Sequence, residues 1–203
     1  MTQQSRLYLI ALFCFLFFVS LGMAIVLRPR VLWDLHAKYF HSQAMPLALF
    51  LTASGRTRPL MAGYAVAVAV FAAGHLHAII PVIMALSQIF SQTVVEGFKL
   101  VYRRVRPDYW LHKLDKGHSY PSGHATTAVV SYIGWAVLVA HCALPPSLKI
   151  PLAALLVIWA VGIDWSRLAL GAHYFSDVFG GTLFGTAWIC ALFGATGHLL
   201  IAP

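Results

Sequence analysis

Two stretches of the chain, Leu7 to Leu27 and Val178 to Leu200, contain no Asp, Glu, Lys or Arg. Each is long enough for the roughly 20 apolar residues that take an α-helix through the hydrocarbon core of a bilayer, and each predicts a membrane span. Leu60 to Val95 is free of the same four residue types, too long for one span, and Gly74, His75, His77 and Pro81 near its middle predict a tight turn between a second and a third helix. The third helix is expected to continue past Glu96 toward Pro107, whose ring stops it and keeps the preceding residue away from helical angles. Its last turns then carry Lys99 and Arg106 to the membrane surface. Ala125 to Ala143 predicts a fourth span, stopped by Leu144-Pro145-Pro146, and Ile150 to Ile163 with its flanks predicts a fifth, ending near Gly171.

The expected fold is therefore all-α: a polytopic membrane protein of six transmembrane helices, read as a single domain over residues 1–203. Val31 to Pro59 is too polar to cross, and its Met45 to Leu51 stretch suits a short interfacial helix. No internal repeat or low-complexity tract interrupts the pattern. Gly181 and Gly185 have the small-xxx-small spacing that lets helices approach closely. With six spans, the Lys99 to Gly123 loop, the end of the fifth helix and the start of the sixth fall on one membrane face, so their polar residues can meet.

Composition narrows the class further. Hydrophobic residues make up 60% and charged residues 10% of the 203 positions, which excludes an ordinary soluble globule. A formal net charge of +8 would raise nucleic acid as a partner in a soluble protein. Here the basic residues bunch near helix ends, and aromatics fill the spans, so the expected partners are the bilayer and its anionic lipid headgroups, with no nucleic acid. Cys14, Cys142 and Cys190 are odd in number, lie in or beside apolar stretches and have no metal-ligand spacing, which suits small buried hydrophobes. Arg6 alone precedes the first apolar run and no small-residue cleavage site ends it, so the first helix is expected in the mature protein.

Three clusters carry chemistry. Lys99 and Arg106-Pro107 come first: seven residues apart on a helix, two long cationic side chains return to nearly one face and can converge on one anion. Arg offers a planar fork to phosphate and Lys a point charge. Arg103, Arg104, Lys113 and Lys116 are read only as headgroup contacts. The second cluster, Tyr120-Pro121-Ser122-Gly123-His124, stands just before an apolar helix, where Ser122 and Gly123 can offer donors to an anion and His124 can pass a proton to a leaving oxygen. An ordinary helix cap is the bland alternative. In the third, Ser166-Arg167 is followed by His173 and Asp177; the last two are four apart and share a helix face, so the carboxylate can hold one ring nitrogen protonated while the other attacks an electrophile. Arg167 adds a cation for phosphate oxygens. Glu96 and Asp164 lie in or near spans, where charge is costly; partners such as Lys99 or Arg167 would make them supports of the site. The other histidines, His36, His41, His75, His77, His112, His118, His141 and His198, fall near span ends and in no chemical pattern.

Lys99 to Pro107, Pro121 to His124, and Ser166-Arg167 with His173 and Asp177 together resemble the three-part signature of the type 2 phosphatidic acid phosphatases, a superfamily that includes glucose-6-phosphatase and the vanadium haloperoxidases. The resemblance implies His173 as a nucleophile that forms a phosphohistidine, Asp177 orienting it, and His124 as general acid. It implies Lys99, Arg106, Ser122, Gly123 and Arg167 as phosphate-binding residues, with no metal and no cofactor. The expected function is that of a lipid phosphatase acting on a phosphomonoester or pyrophosphate, with undecaprenyl pyrophosphate, phosphatidylglycerol phosphate and phosphatidic acid as leading substrates and lipid A phosphate behind them. The signature reads the phosphate and ranks none of the first three. A lipid phosphotransferase would use the same residues. A soluble haloperoxidase conflicts with the apolar composition, and a non-catalytic transporter would place its polar residues at the bilayer midplane. Of 14 Lys and Arg, only Arg6 and Lys149 lie on the N-terminal side, which by the positive-inside rule would make the catalytic side cytoplasmic. The bacterial enzymes resembled work mostly on the outer face of the inner membrane, and the resemblance is followed for the expected location.

Overall fold

The structure, a computed structural model, describes residues 1–28, 45–74, 76–107 and 117–200. Its elements are helical: α1 (Gln3–Leu27), α2 (Met45–Ser54), α3 (Thr57–Ala73), α4 (Ile79–Tyr102), α5 (Gly123–Thr127), a π-helical segment (Ala128–Ile133), α6 (Gly134–His141), α7 (Pro146–Ala169) and α8 (Phe175–Leu200). Among the described residues, five helical stretches are long and apolar enough to cross a membrane: α1, α4, the continuous Gly123–His141, α7 and Phe175–Gly197 of α8. The sixth expected span falls on α3, whose 17 residues rise only about 25 Å. Five of the six expected spans are thus long enough to cross, and the sixth is represented by a shorter apolar helix. The protein is an integral membrane protein, and its lipid-facing surface is visible as exposed apolar side chains such as Phe13 on α1, Leu100 on α4 and Ile158 on α7.

Local sequence explains the helix ends. Thr2 caps α1, its hydroxyl accepting from the Ser5 amide at 3.1 Å. The turn expected in residues 60–95 separates α3 from α4, with Gly74 as C-cap of α3 and Pro81 inside the first turn of α4, where its missing N–H costs nothing. Pro145 and Pro146 start α7 in the same way. One boundary differs from expectation. Helix α4 stops at Tyr102 because Arg103 turns left-handed at φ 47°, its N–H closing on the Lys99 carbonyl at 3.0 Å. Arg106 therefore lies beyond the helix, and the seven-residue helical repeat does not relate it to Lys99.

Helix α8 is the centre of the packing. It lies along α1 and against α5 and the π segment. Phe18, Phe98, Tyr102, Tyr120 and Phe184 pack where α1, α4 and α8 meet. Phe18 stacks on Tyr120 with ring centroids 5.6 Å apart. Gly181 meets the expected close approach: a Cβ there would lie 2.4 Å from the Ser122 carbonyl oxygen, so α8 touches the backbone that opens α5. The Met45 to Leu51 stretch is helical as expected, forming most of α2, which packs on α7. All three cysteines are free; Cys14 is buried, whereas Cys142 and Cys190 are half-buried.

Candidate active site

The helix ends on one side of the bundle enclose a cleft of about 810 Å³, lined by Gly55, Arg56, Thr57, Arg58, Pro59, Gln92, Glu96, Lys99, Arg106, Gly123, His124 and His173. Five of the sequence-derived candidates, Lys99, Arg106, Gly123, His124 and His173, thus meet there. The other three, Ser122, Arg167 and Asp177, are buried and do not line it.

His173 precedes α8 and is held from both sides. Its Nδ1 lies 3.5 Å from Asp177 Oδ2, and its Nε2 lies 3.2 Å from Arg106 Nη1. A guanidinium has only donors, so in this contact Nε2 must accept, which leaves the ring proton on Nδ1 facing the carboxylate. That is the tautomer in which Nε2, the nitrogen at the cleft, carries the lone pair. Arg106 is fixed by carbonyls: its Nη1 donates to Ala172 at 3.0 Å, its Nε to Gly117 at 3.2 Å and its Nη2 to His118 at 3.2 Å.

Asp177 is fixed as firmly. Oδ2 accepts from the Tyr174 amide at 2.9 Å, an N-terminal cap of α8, and Oδ1 meets Arg104 Nη1 at 2.6 Å. Arg104 is 5% exposed, donates also to Ser176 Oγ at 2.6 Å and lies over the Tyr174 ring at 4.2 Å. This corrects the sequence reading, which left Arg104 with the headgroup contacts. The left-handed Arg103 ends the helix and stays exposed, while its neighbour is buried. Lys113 and Lys116 lie outside the described residues.

At the start of α5, Ser122 caps the helix, its Oγ accepting from the Ala125 amide at 3.4 Å, and its own amide donates to the Asp177 carbonyl at 3.0 Å. The capping residue of one helix thus hangs on the first turn of the other. Gln92 donates to the Gly123 carbonyl and to Thr127 Oγ1, both at 3.1 Å, tying α4 to α5. Lys99 is paired with Glu96 at 2.7 Å, the support anticipated for that carboxylate. Asp164 accepts instead from Thr182 Oγ1 on α8, at 3.2 Å. Burial pushes the Tyr120 phenol above its ordinary value, while its hydroxyl donates to the Phe18 carbonyl at 2.8 Å.

Arg167 is 1% exposed and donates to Thr52 Oγ1 of α2. With it, Trp159 Nε1 donates to Ser54 Oγ at 2.9 Å and Tyr132 OH to the Ser54 carbonyl at 3.0 Å. These bonds fasten the α2–α3 turn over the site. A Cβ on Gly55 would come within 3.0 Å of His124 Cδ2, so the turn sits directly against that ring. Residues Gly55 to Pro59 were not among the sequence candidates; the only local signal was Arg56 and Arg58 in a polar break between apolar runs. Among the described residues, no three His, Cys, Asp or Glu side chains cluster as a metal site requires. The positive charge of the cleft comes from Lys and Arg.

The sequence profile of the PAP2 superfamily matches residues 76–198. A lipid A 1-phosphatase of Rhizobium johnstonii (strain DSM 114642 / LMG 32736 / 3841) is 31% identical over 115 residues, covering 51% of this chain and 42% of that protein. The matched stretch is thus less than half of the relative's length. The crystal structure of a transmembrane PAP2-type phosphatidylglycerolphosphate phosphatase from Bacillus subtilis superposes with a TM-score of 0.80 at 23% identity, over 93% of this chain and 96% of that one. At that identity it demonstrates a shared fold.

Proposed function

This chain belongs to the PAP2 superfamily, the type 2 phosphatidic acid phosphatases that its three clusters resemble, and from that premise we propose that it removes phosphate from a membrane lipid through a phosphohistidine on His173. The observation that carries the reading is the relay from Arg104 through Asp177 to His173, with Nε2 turned to the cleft and Arg106 beside it. Binding of a phosphate draws Arg106 from Nε2 onto an anionic oxygen, where its fork is better satisfied, and this frees the lone pair for in-line attack. Asp177 stabilises the proton on Nδ1 as the ring becomes cationic. His124 gives a proton to the departing lipid oxygen, then takes one from the water that cleaves the phosphohistidine. Lys99, Arg106 and Gly123 hold the phosphate from the wall, with Ser122 and Arg167 behind them; the cations stabilise the charge that develops on the equatorial oxygens.

The substrate enters from the bilayer, its tail staying in hydrocarbon, where each buried methylene is worth about 0.8 kcal/mol. The Rhizobium relative is named for lipid A 1-phosphate and the Bacillus enzyme for phosphatidylglycerolphosphate, which supports phosphorylated lipids as the class. The site works without a metal, on the outer face of a bacterial inner membrane. Single cysteines at Lys113 or Lys116, in a background lacking Cys14, Cys142 and Cys190, will react with an impermeant thiol reagent on intact cells; protection until lysis puts the site on the other face.

The central test is phosphate release in mixed micelles by the wild type, His173→Ala and His124→Ala. Both variants should fold and lose release, and acid-labile label should be trapped on His173 in the His124 variant. Release by His173→Ala at near wild-type rate refutes the mechanism. Activity that collapses with a chelator and returns with a divalent ion refutes the metal-free reading.

A further inference from the structure

The cleft carries more positive charge than one phosphate needs. Arg56, Arg58, Lys99 and Arg106 line it against a single carboxylate, Glu96, which Lys99 already engages. Arg106, held by three carbonyls, stands beside His173 Nε2, where it serves the scissile phosphate. Among the described residues, no side-chain bond occupies the guanidinium of Arg56 or Arg58. Both stand at the N-terminus of α3, where no side chain caps the helix and the free amides add to the positive potential.

An ordinary basic turn facing lipid headgroups would be loosely held. This one is fastened at Thr52 by Arg167 and at Ser54 by Trp159 and Tyr132, and Gly55 presses it against His124. Residues that belong to the catalytic elements therefore position it, as a preorganised recognition element requires. It also lies on a particular side of the reaction. Gly55, the neighbour of Arg56 in the chain, lies against His124, which in the reading above protonates the leaving oxygen, and Arg56, Arg58 and His124 line the same cleft, so the pair is assigned to the side of whatever departs.

We infer that Arg56 and Arg58 form a second anion subsite on the leaving-group side, and that the preferred substrates are lipids whose headgroup bears a second phosphate next to the scissile one. This rests on the phosphatase reading above. For a lipid pyrophosphate, His173 Nε2 forms a bond to the terminal phosphorus as the bond to the bridging oxygen breaks. The bridging oxygen keeps the electron pair and takes the His124 proton. The lipid monophosphate leaves with its charge held by Arg56 and Arg58, and water then cleaves the phosphohistidine to inorganic phosphate. A lipid with two phosphates separated by a glycerol places its second anion on the same side. A lipid carrying only the scissile phosphate leaves as a neutral alcohol and gains nothing from the pair.

The test compares kcat/KM in micelles of uncharged detergent for farnesyl pyrophosphate against farnesyl monophosphate, and for phosphatidylglycerol phosphate against phosphatidic acid with the same acyl chains. In the Arg56→Gln/Arg58→Gln variant, the two-phosphate to one-phosphate ratio should fall at least about tenfold in one or both pairs, the size expected when charge-assisted hydrogen bonds are lost; which pair responds tells how far apart the phosphates sit. The Arg56→Lys/Arg58→Lys variant should recover part of the ratio. An equal loss on all four substrates, or no loss, overturns the subsite. Calorimetric binding of inorganic pyrophosphate against inorganic phosphate to the full chain needs no turnover, so it decides the subsite even if the catalytic reading fails: the Gln variant must lose pyrophosphate affinity selectively, and equal weakening of both ions overturns the inference. Wild-type release by His173→Ala would instead strike the mechanism.

Discussion

Arg103 and Arg104 are neighbours of identical chemistry, and the structure predicts opposite consequences for replacing them. Arg104→Met leaves Asp177, which is 0% exposed, without the guanidinium that meets it at 2.6 Å. Removing one partner of a buried ion pair costs about 3–5 kcal/mol, because the remaining charge stays desolvated. For a chain of this size that corresponds to a fall in Tm of about 6–20 °C. Turnover should fall as well, by about a hundredfold, since a misdirected Asp177 no longer holds the His173 proton on Nδ1. Arg103 is exposed, with its Nε on the Leu100 carbonyl at 3.0 Å, so Arg103→Gln should change stability by less than about 0.5 kcal/mol. Thermal unfolding and phosphate release in the same detergent give both numbers. Adding Asp177→Asn to Arg104→Met should restore much of the stability, because neutralising both ends removes the uncompensated charge, while activity stays lost. The reasoning is refuted if Arg104→Met unfolds and turns over like Arg103→Gln, or if the double variant is destabilised by the sum of the single effects.

Thr52→Val removes the hydroxyl that accepts from Arg167 and should destabilise by about 1.5–3 kcal/mol, the range for a hydrogen bond to a charged group, with faster hydrogen exchange in the α2–α3 turn; unchanged exchange there would show that Arg167 does not hold the turn. Gly181→Ala drives a Cβ to 2.4 Å from the Ser122 carbonyl and should cost about 1–3 kcal/mol together with activity, whereas Gly63→Ala, with nothing within 4 Å of its Cβ, should be neutral or stabilising in unfolding assays. Tyr120 has its folded-state pKa raised by burial, so its contribution is present below the ordinary tyrosine pKa and is lost as pH rises beyond it; wild-type Tm should drop in strong alkali more steeply than that of Tyr120→Phe. Parallel alkaline profiles would assign that loss to other groups.

The hydrophobic runs by themselves determined the class of fold, because a bilayer demands long apolar helices and Gly74, Pro81, Pro145 and Pro146 act through local backbone geometry wherever they stand. The candidate residues of the three clusters stood out for a similar reason: cations, histidines and carboxylates are scarce in an apolar chain, and Lys99, Arg106, Gly123, His124 and His173 do meet in one cleft. The number of long spans was less legible, since α3 reaches 17 residues within an uncharged run that continues through the turn. Tertiary structure alone decided which arginine pairs with Asp177. A single left-handed residue at 103 ends α4 one turn before the expected end, turns Arg104 onto Asp177 and brings Arg106 to His173 from a loop rather than from the face of a helix. It also decided that Arg56 and Arg58, more than 60 residues before His124, join the cleft. What places them is a set of long-range bonds to Thr52 and Ser54 from Arg167, Trp159 and Tyr132. No periodicity within the α2–α3 segment encodes them, because their donors lie on helices formed by a distant part of the chain.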